Sequence, residues 1–198
     1  MKDLRRDLRE VEVQMTKVTD TFRKGSRVKD FELALQRLTD CLLIHKVQRV
    51  GKVALPLKAY LDLDAFKVYL LDIGLLIAMT DLDVKVIIDG NRIFTEFKGA
   101  LTEQYVLQQL IASENMEPYY YSTPNSGGEI DFMIQGKTSI IPLEVKAEEN
   151  LRAKSLKAFC EKYHPKYALR ISMSDYREQE WMTNIPLYNV EKIRNYME

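Results

Sequence analysis

Cysteine and histidine are nearly missing from this 198-residue chain, which holds two of each. Cys41 and Cys160 lie far apart, so neither a metal-ligand spacing nor a structural disulfide is expected, and both read as core residues on apolar helix faces. His45 and His164 support no Ser/His/Asp or Cys/His arrangement and read as structural or solvent-facing. No apolar run approaches the roughly 18 residues a membrane span requires. The charged run over residues 1–7 is no signal peptide. A glycine-rich phosphate loop is also missing: Gly136-Lys137-Thr138 imitates its end, but Asp131 stands where the first glycine belongs. These absences exclude a membrane span, a thiol-ligated metal and a nucleotide site, and a cytoplasmic protein is expected.

Net charge is absent as well, since 29 Lys and Arg balance 29 Asp and Glu, but the balance is uneven along the chain. Residues 1–60 carry 14 Lys and Arg against 8 Asp and Glu, and the remainder carries 15 against 21. A basic first part points to an anionic partner, nucleic acid first, or to a solvated charged face.

The first part reads as a helix over 2–22, a break at 23–26, and a second helix capped by Ser26 or Asp30. The apolar face of that helix is Phe31, Leu35, Leu38 and Leu42. A strand over 44–50, a turn at Gly51-Lys52 and a second run from Val53 follow, with Pro56 at an edge position. Helix, helix and hairpin outline a winged helix over residues 1–60. Its phosphate contacts would be Arg27, Lys29, Arg37, Lys46, Arg49 and Lys52. Packing against another domain is the other reading of this module. Residues 61–90 form a bridge whose apolar stretch, 66–76, is expected to be buried.

Residues 91–198 show a different pattern. A helix over 94–112 places Glu103 on a stripe with Ala100, Leu107 and Leu110, where a carboxylate needs a partner or a metal. Strands are predicted over 118–122, 130–135 and 139–146, then a helix over 153–163, a strand over 167–172 and a last one over 185–190. The order is αβββαβ, an α/β core with a mixed sheet. Within it, Gly128-Glu129-Ile130-Asp131-Phe132 is followed across a hairpin by Leu143-Glu144-Val145-Lys146. Alternation puts Glu144 and Lys146 on one face of their strand and Glu129 with Asp131 on one face of theirs, and if the two faces are shared the groups converge. Two carboxylates and an ammonium brought together can hold Mg²⁺ and position a water against a phosphodiester. The other reading is an ordinary Glu144–Lys146 ion pair with Asp131 capping the hairpin. Tyr119, Tyr120, Tyr121 and Trp181 can stack on bases, although strand alternation makes Tyr120 a core residue.

Asp131, Glu144 and Lys146 at the ends of the second and third strands resemble the core of PD-(D/E)xK nucleases, which share the restriction-endonuclease-like fold. The runs at residues 24–38, 56–60, 65–76, 99–103, 128–132 and 142–147 resemble something narrower. That is the C-terminal domain of unknown function attached to bacterial and archaeal AAA-type ATPases. The resemblance covers residue 20 to the end and implies that an ATPase module precedes this region. The chain is therefore expected to be a C-terminal piece, or the product of a gene that has lost its motor. It further implies Asp131 and Glu144 as ligands of Mg²⁺ or Mn²⁺, joined by Glu103, with Lys146 orienting water or stabilising the transition state. Ser155 and Lys157 would touch the phosphate backbone. Three functions stay open: a nuclease-like domain that binds DNA and cleaves it with Mg²⁺, a non-catalytic module for docking to an ATPase or for self-association, and a regulator or toxin-antitoxin-like protein that binds nucleic acid without metal.

Overall fold

The computed structural model describes residues 28–79, 95–112, 116–123, 128–147 and 153–198. The expected helix over 2–22, the break after it, Ser26 and Arg27 lie outside the described residues. Helix α1 spans Val28–Asp40, so Asp30 falls inside it rather than at its cap. The helix closes where Leu42 adopts a left-handed φ of 58° and the Leu43 N–H reaches the Leu38 carbonyl at 2.9 Å. Leu42 and Cys41, expected on the apolar face, are therefore past the helix end and exposed.

Strand β1 (Ile44–Val50) pairs antiparallel with β2 (Leu61–Leu70). The expected tight turn at Gly51-Lys52 is instead a ten-residue connection holding a short 3-10 helix, Leu57–Tyr60. The Gly51 N–H donates to the Tyr60 carbonyl at 2.8 Å, and the ladder begins only at Val50 opposite Leu61. Leu57 explains the detour: it is fully buried, and its N–H donates to Gln135 Oε1 at 2.7 Å. Anchoring the loop to a distant strand outweighs the shorter turn. A short helix α2 (Ile73–Met79) follows β2, and Val68, Leu70 and Leu76 of this stretch are buried as expected.

Helix α3 (Thr95–Ala112) leads into β3 (Tyr119–Ser122), β4 (Glu129–Gln135) and β5 (Ile140–Lys146). Helix α4 (Lys154–Tyr163) is followed by β6 (Leu169–Ser172), β7 (Arg177–Glu178) and β8 (Thr183–Pro186). The last predicted strand is thus earlier and shorter, and Leu187–Tyr196 is a 3-10 segment that buries Val190 and Ile193. One eight-stranded mixed sheet results, ordered β2-β1-β3-β4-β5-β6-β8-β7. It runs across the expected divisions at residues 60 and 90, because β1 meets β3 in parallel with Arg49 opposite Tyr120. The fold is mixed α/β.

The centre of the sheet is its driest part. Every residue from Ile141 to Val145 on β5 is buried. Val106, Leu107 and Leu110 of α3 join Phe132, Leu143, Ile171 and Ile185 in the main core. Leu156 and Phe159 of α4 pack with Ile130 and Met133 in a second cluster. Burial of such side chains is worth about 1.5–3 kcal/mol each. Polar groups at the centre therefore need a stated reason.

Candidate functional site

The β4–β5 ladder runs as far as Phe132 opposite Leu143, and just beyond it Asp131 lies close enough to Glu144 for that carboxylate to shift its ionisation. The β5–β6 and β6–β8 ladders continue the row, with Glu144 beside Arg170 and Arg170 beside Asn184. A lateral line of polar residues, Glu144, Arg170 and Asn184, thus crosses three strands inside an apolar sheet. Arg170 Nε donates to Asn184 Oδ1 at 2.9 Å, and Ser172 Oγ donates to the same oxygen at 2.8 Å. Leu143 and Val145 alternate with Glu144 and Lys146, as period-2 geometry requires, and bury themselves in the main core.

The two predicted carboxylates are held firmly. The Val145 N–H donates to Asp131 Oδ2 at 2.7 Å. Glu144 Oε1 accepts from Lys146 Nζ at 2.6 Å, whereas its Oε2, enclosed in the protein, has no hydrogen-bond partner among the described residues. Burial pushes the Asp131 carboxyl well above the usual carboxylate range, and the charges of Glu103 and Glu144 push the same way; Lys67 and the Val145 N–H pull it back. Burial also raises Glu144, against the opposing pull of Lys146. For Lys146 burial works downward, but Glu144, Asp131 and Glu103 keep its pKa above the ordinary lysine value.

Glu103 reaches the same region from α3, and its stripe of neighbours is apolar as the spacing predicted. Its Oε2 accepts from the Tyr69 hydroxyl at 3.1 Å and lies 3.8 Å from Lys67 Nζ. Lys67 also pairs closely with Glu129 and stands 5.2 Å from the Tyr120 ring centre. Sequence reading missed Lys67 and Tyr69, which come from the segment read as a bridge. The signal was there in outline: Lys67 and Tyr69 share one face of β2, while Phe66, Val68 and Leu70 take the other.

Asp131 and Glu144 suit a hard divalent cation, because carboxylate oxygens are its preferred donors and Glu144 Oε2 lacks a partner. The fit stops at two carboxylates as the side chains stand. Among the described residues, no three His, Cys, Asp or Glu side chains form a group able to hold a metal ion. Glu103, the third expected ligand, is taken by Tyr69 and Lys67.

The expected phosphate contacts are spread over the first part of the chain. Lys29 lies in the first turn of α1, and Arg37 is exposed on the same helix. Lys46 and Lys52 are exposed, each against a ring, at 4.0 Å from the Phe66 centre and 5.1 Å from the Tyr60 centre. Arg49 is engaged by Asp62 in a close ion pair, which also holds the Asp62 carboxyl below its ordinary range. Tyr119, Tyr120 and Tyr121 are all buried, so none offers a stacking face. Tyr121 shares a 2.8 Å hydrogen bond with Tyr163. His45 is half-buried, and burial lowers its pKa. His164 ends α4 in a left-handed conformation, with its N–H on the Cys160 carbonyl. Ser155 and Lys157 lie on α4, and Ser155 borders Gly128, whose φ of 153° favours glycine at the entry to β4.

Comparison with known families yields two matches. Residues 98–190 match a domain of unknown function, DUF4143, and residues 8–85 match a second one, DUF8612. The first match contains Glu103, Glu129, Asp131, Glu144 and Lys146, and the second contains Lys67 and Tyr69. No curated protein and no solved structure matches the chain. No helix among the described residues is long and apolar enough to cross a membrane.

Proposed function

We propose that this chain is the nuclease-like C-terminal region of an AAA-ATPase-type protein, acting on the phosphodiester backbone of DNA with Mg²⁺ or Mn²⁺ held at Asp131 and Glu144. The match to DUF4143, a domain commonly found as a C-terminal region of such ATPases, supports the association. The chemistry is supported above all by the closeness of Asp131 to the buried Glu144 beside Lys146, where Glu144 Oε2 lacks a partner among the described residues. The charge of Glu144 helps to raise the Asp131 pKa, and a cation is a group that relieves such crowded carboxylates. When bound, such an ion acidifies a water and shields charge on the scissile phosphate.

The chain's own residues divide the remaining work. The Val145 N–H fixes Asp131, and Glu144 holds the Lys146 ammonium in place. Lys146 is about one-third exposed and can donate to a phosphate oxygen as charge develops there. Ser155 and Lys157 would meet the neighbouring phosphate. Arg37, Lys46 and Lys52 would hold the backbone further along.

The test is Mn²⁺-dependent cleavage of plasmid and single-stranded DNA by the wild type, Asp131→Asn and Lys146→Gln, at a temperature where circular dichroism shows all three folded. Cleavage should fall by about 10²-fold or more in each variant. Wild-type rates in either would refute the assignment. A second reading, a non-catalytic docking module for an ATPase partner or for self-association, is favoured by the way Glu103 and Glu129 are already paired with Lys67. It predicts no cleavage in the wild type and no heat on titration with Mn²⁺.

A further inference from the structure

Strand β1 lies between β2 and β3, but β3 accompanies it along only part of its length. The Leu70 N–H and C=O are both taken by the side-chain amide of Gln104, at 3.0 and 2.7 Å. Leu70 therefore turns its main-chain groups away from β1. Ile44 stands opposite Leu70, so it turns its own groups away from β2, and Lys46 and Gln48 follow by alternation. Tyr120, opposite Arg49, serves the Gln48 carbonyl from β3. The residue placed to serve Lys46 in the same way is Pro118, which has no N–H to donate. The ladder stops there, and the Lys46 carbonyl faces the gap where β1 and β3 diverge.

A cleft of about 280 Å³ opens at that divergence. Ile44, Val47 and Met116, all buried, form its floor, and Leu42 and Ile111 stand on its rim, 66% and 36% exposed. Leu42 is unusual twice over, because it also holds a φ of 58° that leucine rarely adopts. Lys46 is exposed beside the Phe66 ring and has no acidic partner among the described residues. Glu117, a carboxylate in the lining, is already engaged by Lys58 at 3.5 Å and by the Tyr119 hydroxyl. The cleft thus offers a strand-edge acceptor, an apolar seat and a positive charge. A phosphate backbone has no donor for that carbonyl, whereas a peptide has one at every second residue of a strand.

We propose that this cleft docks an extended segment of a partner protein by strand addition to β1. The segment donates a main-chain N–H to the Lys46 carbonyl and seats an apolar side chain against Leu42, Ile111 and Met116. A nearby Asp or Glu of the segment meets the Lys46 ammonium. Nothing in this inference depends on the carboxylate site.

The experiment selects phage-displayed random peptides on the full chain. The enriched peptides are then synthesised with a fluorophore and titrated by anisotropy into wild type, Leu42→Gly, Pro118→Ala and Lys46→Glu. Enriched peptides should pair an apolar residue with a nearby acid. Leu42→Gly should melt as high as wild type, since glycine suits that φ, yet bind about tenfold more weakly. Lys46→Glu should bind about tenfold more weakly or worse. Pro118→Ala supplies the missing N–H from within the chain and should weaken binding as well. No enrichment, or enrichment of basic peptides, overturns the docking site. Full affinity in Leu42→Gly overturns the cleft as its location, and full affinity in Pro118→Ala overturns the strand addition. Two further results would overturn the partner segment by giving the cleft another occupant. One is a wild-type dimer in sedimentation that Leu42→Gly dissolves, which would seat a second copy there. The other is a labelled DNA oligonucleotide that loses affinity with Leu42→Gly while no peptide binds.

Discussion

On the β1–β2 flank each cation is served by its own separate partners near the surface, Arg49 by Asp62 and Ser122, whereas around β4 and β5 four carboxylates share two lysines. Arg49 faces Asp62, Lys46 covers the Phe66 ring and Lys52 lies against Tyr60. Each of these contacts keeps water on one side, and removing one changes little beyond it. At the centre, Glu103 and Glu144 act on the ionisation of Asp131, and Glu103 and Glu129 on that of Glu144, with Lys67 and Lys146 pulling the other way. Charge there is costly to strand, so each substitution is felt by its neighbours. Lys67 joins the two regimes, since it leaves the flank strand and spends its charge at the centre.

The largest expected effect comes from stranding a buried carboxylate. Lys146→Met removes the only hydrogen-bonded partner that a Glu144 side chain, 6% exposed, has among the described residues. Urea unfolding at pH 8 should show a loss of about 2 kcal/mol. The loss should shrink in acid, because burial already raises the Glu144 pKa and protonation removes the stranded charge. A loss no larger than that of a surface pair would erase the contrast between the two regions.

Asp131→Asn should move stability the other way. The folded-state pKa of Asp131 is raised above its ordinary 3.8. As pH climbs from about 4 toward that raised value, the native state keeps a proton that the unfolded chain has released, so stability falls with rising pH. The amide carries no charge to bury and still accepts from the Val145 N–H. The variant should therefore melt a few degrees above wild type at pH 7 and level with it near pH 3.5. A variant less stable at both pH values would mean that the carboxylate helps hold the fold.

Much of the central region was legible because its signals are local. Helices α3 and α4 and strands β3, β4 and β5 lie within two residues of expectation, since periodicity and flanking turns fix them over short spans. Glu103 betrayed itself as a carboxylate on an apolar stripe. The flank was harder to read. Leu57 leaves the hairpin because its N–H is claimed by Gln135, 78 residues away, and no local pattern announces that bond. Lys67 and Tyr69 escaped for the same reason: their partner Glu103 sits more than 30 residues downstream, so their apolar strand read as a mere bridge. The end of the chain misled by composition. Leu187 and Val190 suit a strand, but their three-residue spacing also suits the 3-10 turn that forms.

The flank cations offer a smaller test. Removal of residues 1–56 would delete β1, whose Val47 and Val50 are buried, so the basic surface is better examined by substitution. Lys46→Glu with Lys52→Glu should weaken DNA binding several-fold while leaving the melt unchanged. Each lost phosphate contact should flatten the plot of log affinity against log salt by roughly one unit of slope. Unchanged affinity and slope would remove this face from the DNA contact.

Asp62→Asn carries the smallest energy and separates the two regions most cleanly. Arg49 is a candidate contact on this flank that an acidic partner already neutralises, and both members of the pair keep a quarter or more of their side chains in solvent. Its removal should cost less than about 1 kcal/mol, as exposed pairs do. That cost should be present above the ordinary Asp range and vanish as pH falls through the lowered pKa of Asp62. Salt should diminish it further. The freed guanidinium should then tighten DNA binding at low salt, which filter binding would detect. If affinity stays the same, Arg49 serves the sheet alone, holding β2 and β3 on either side of β1.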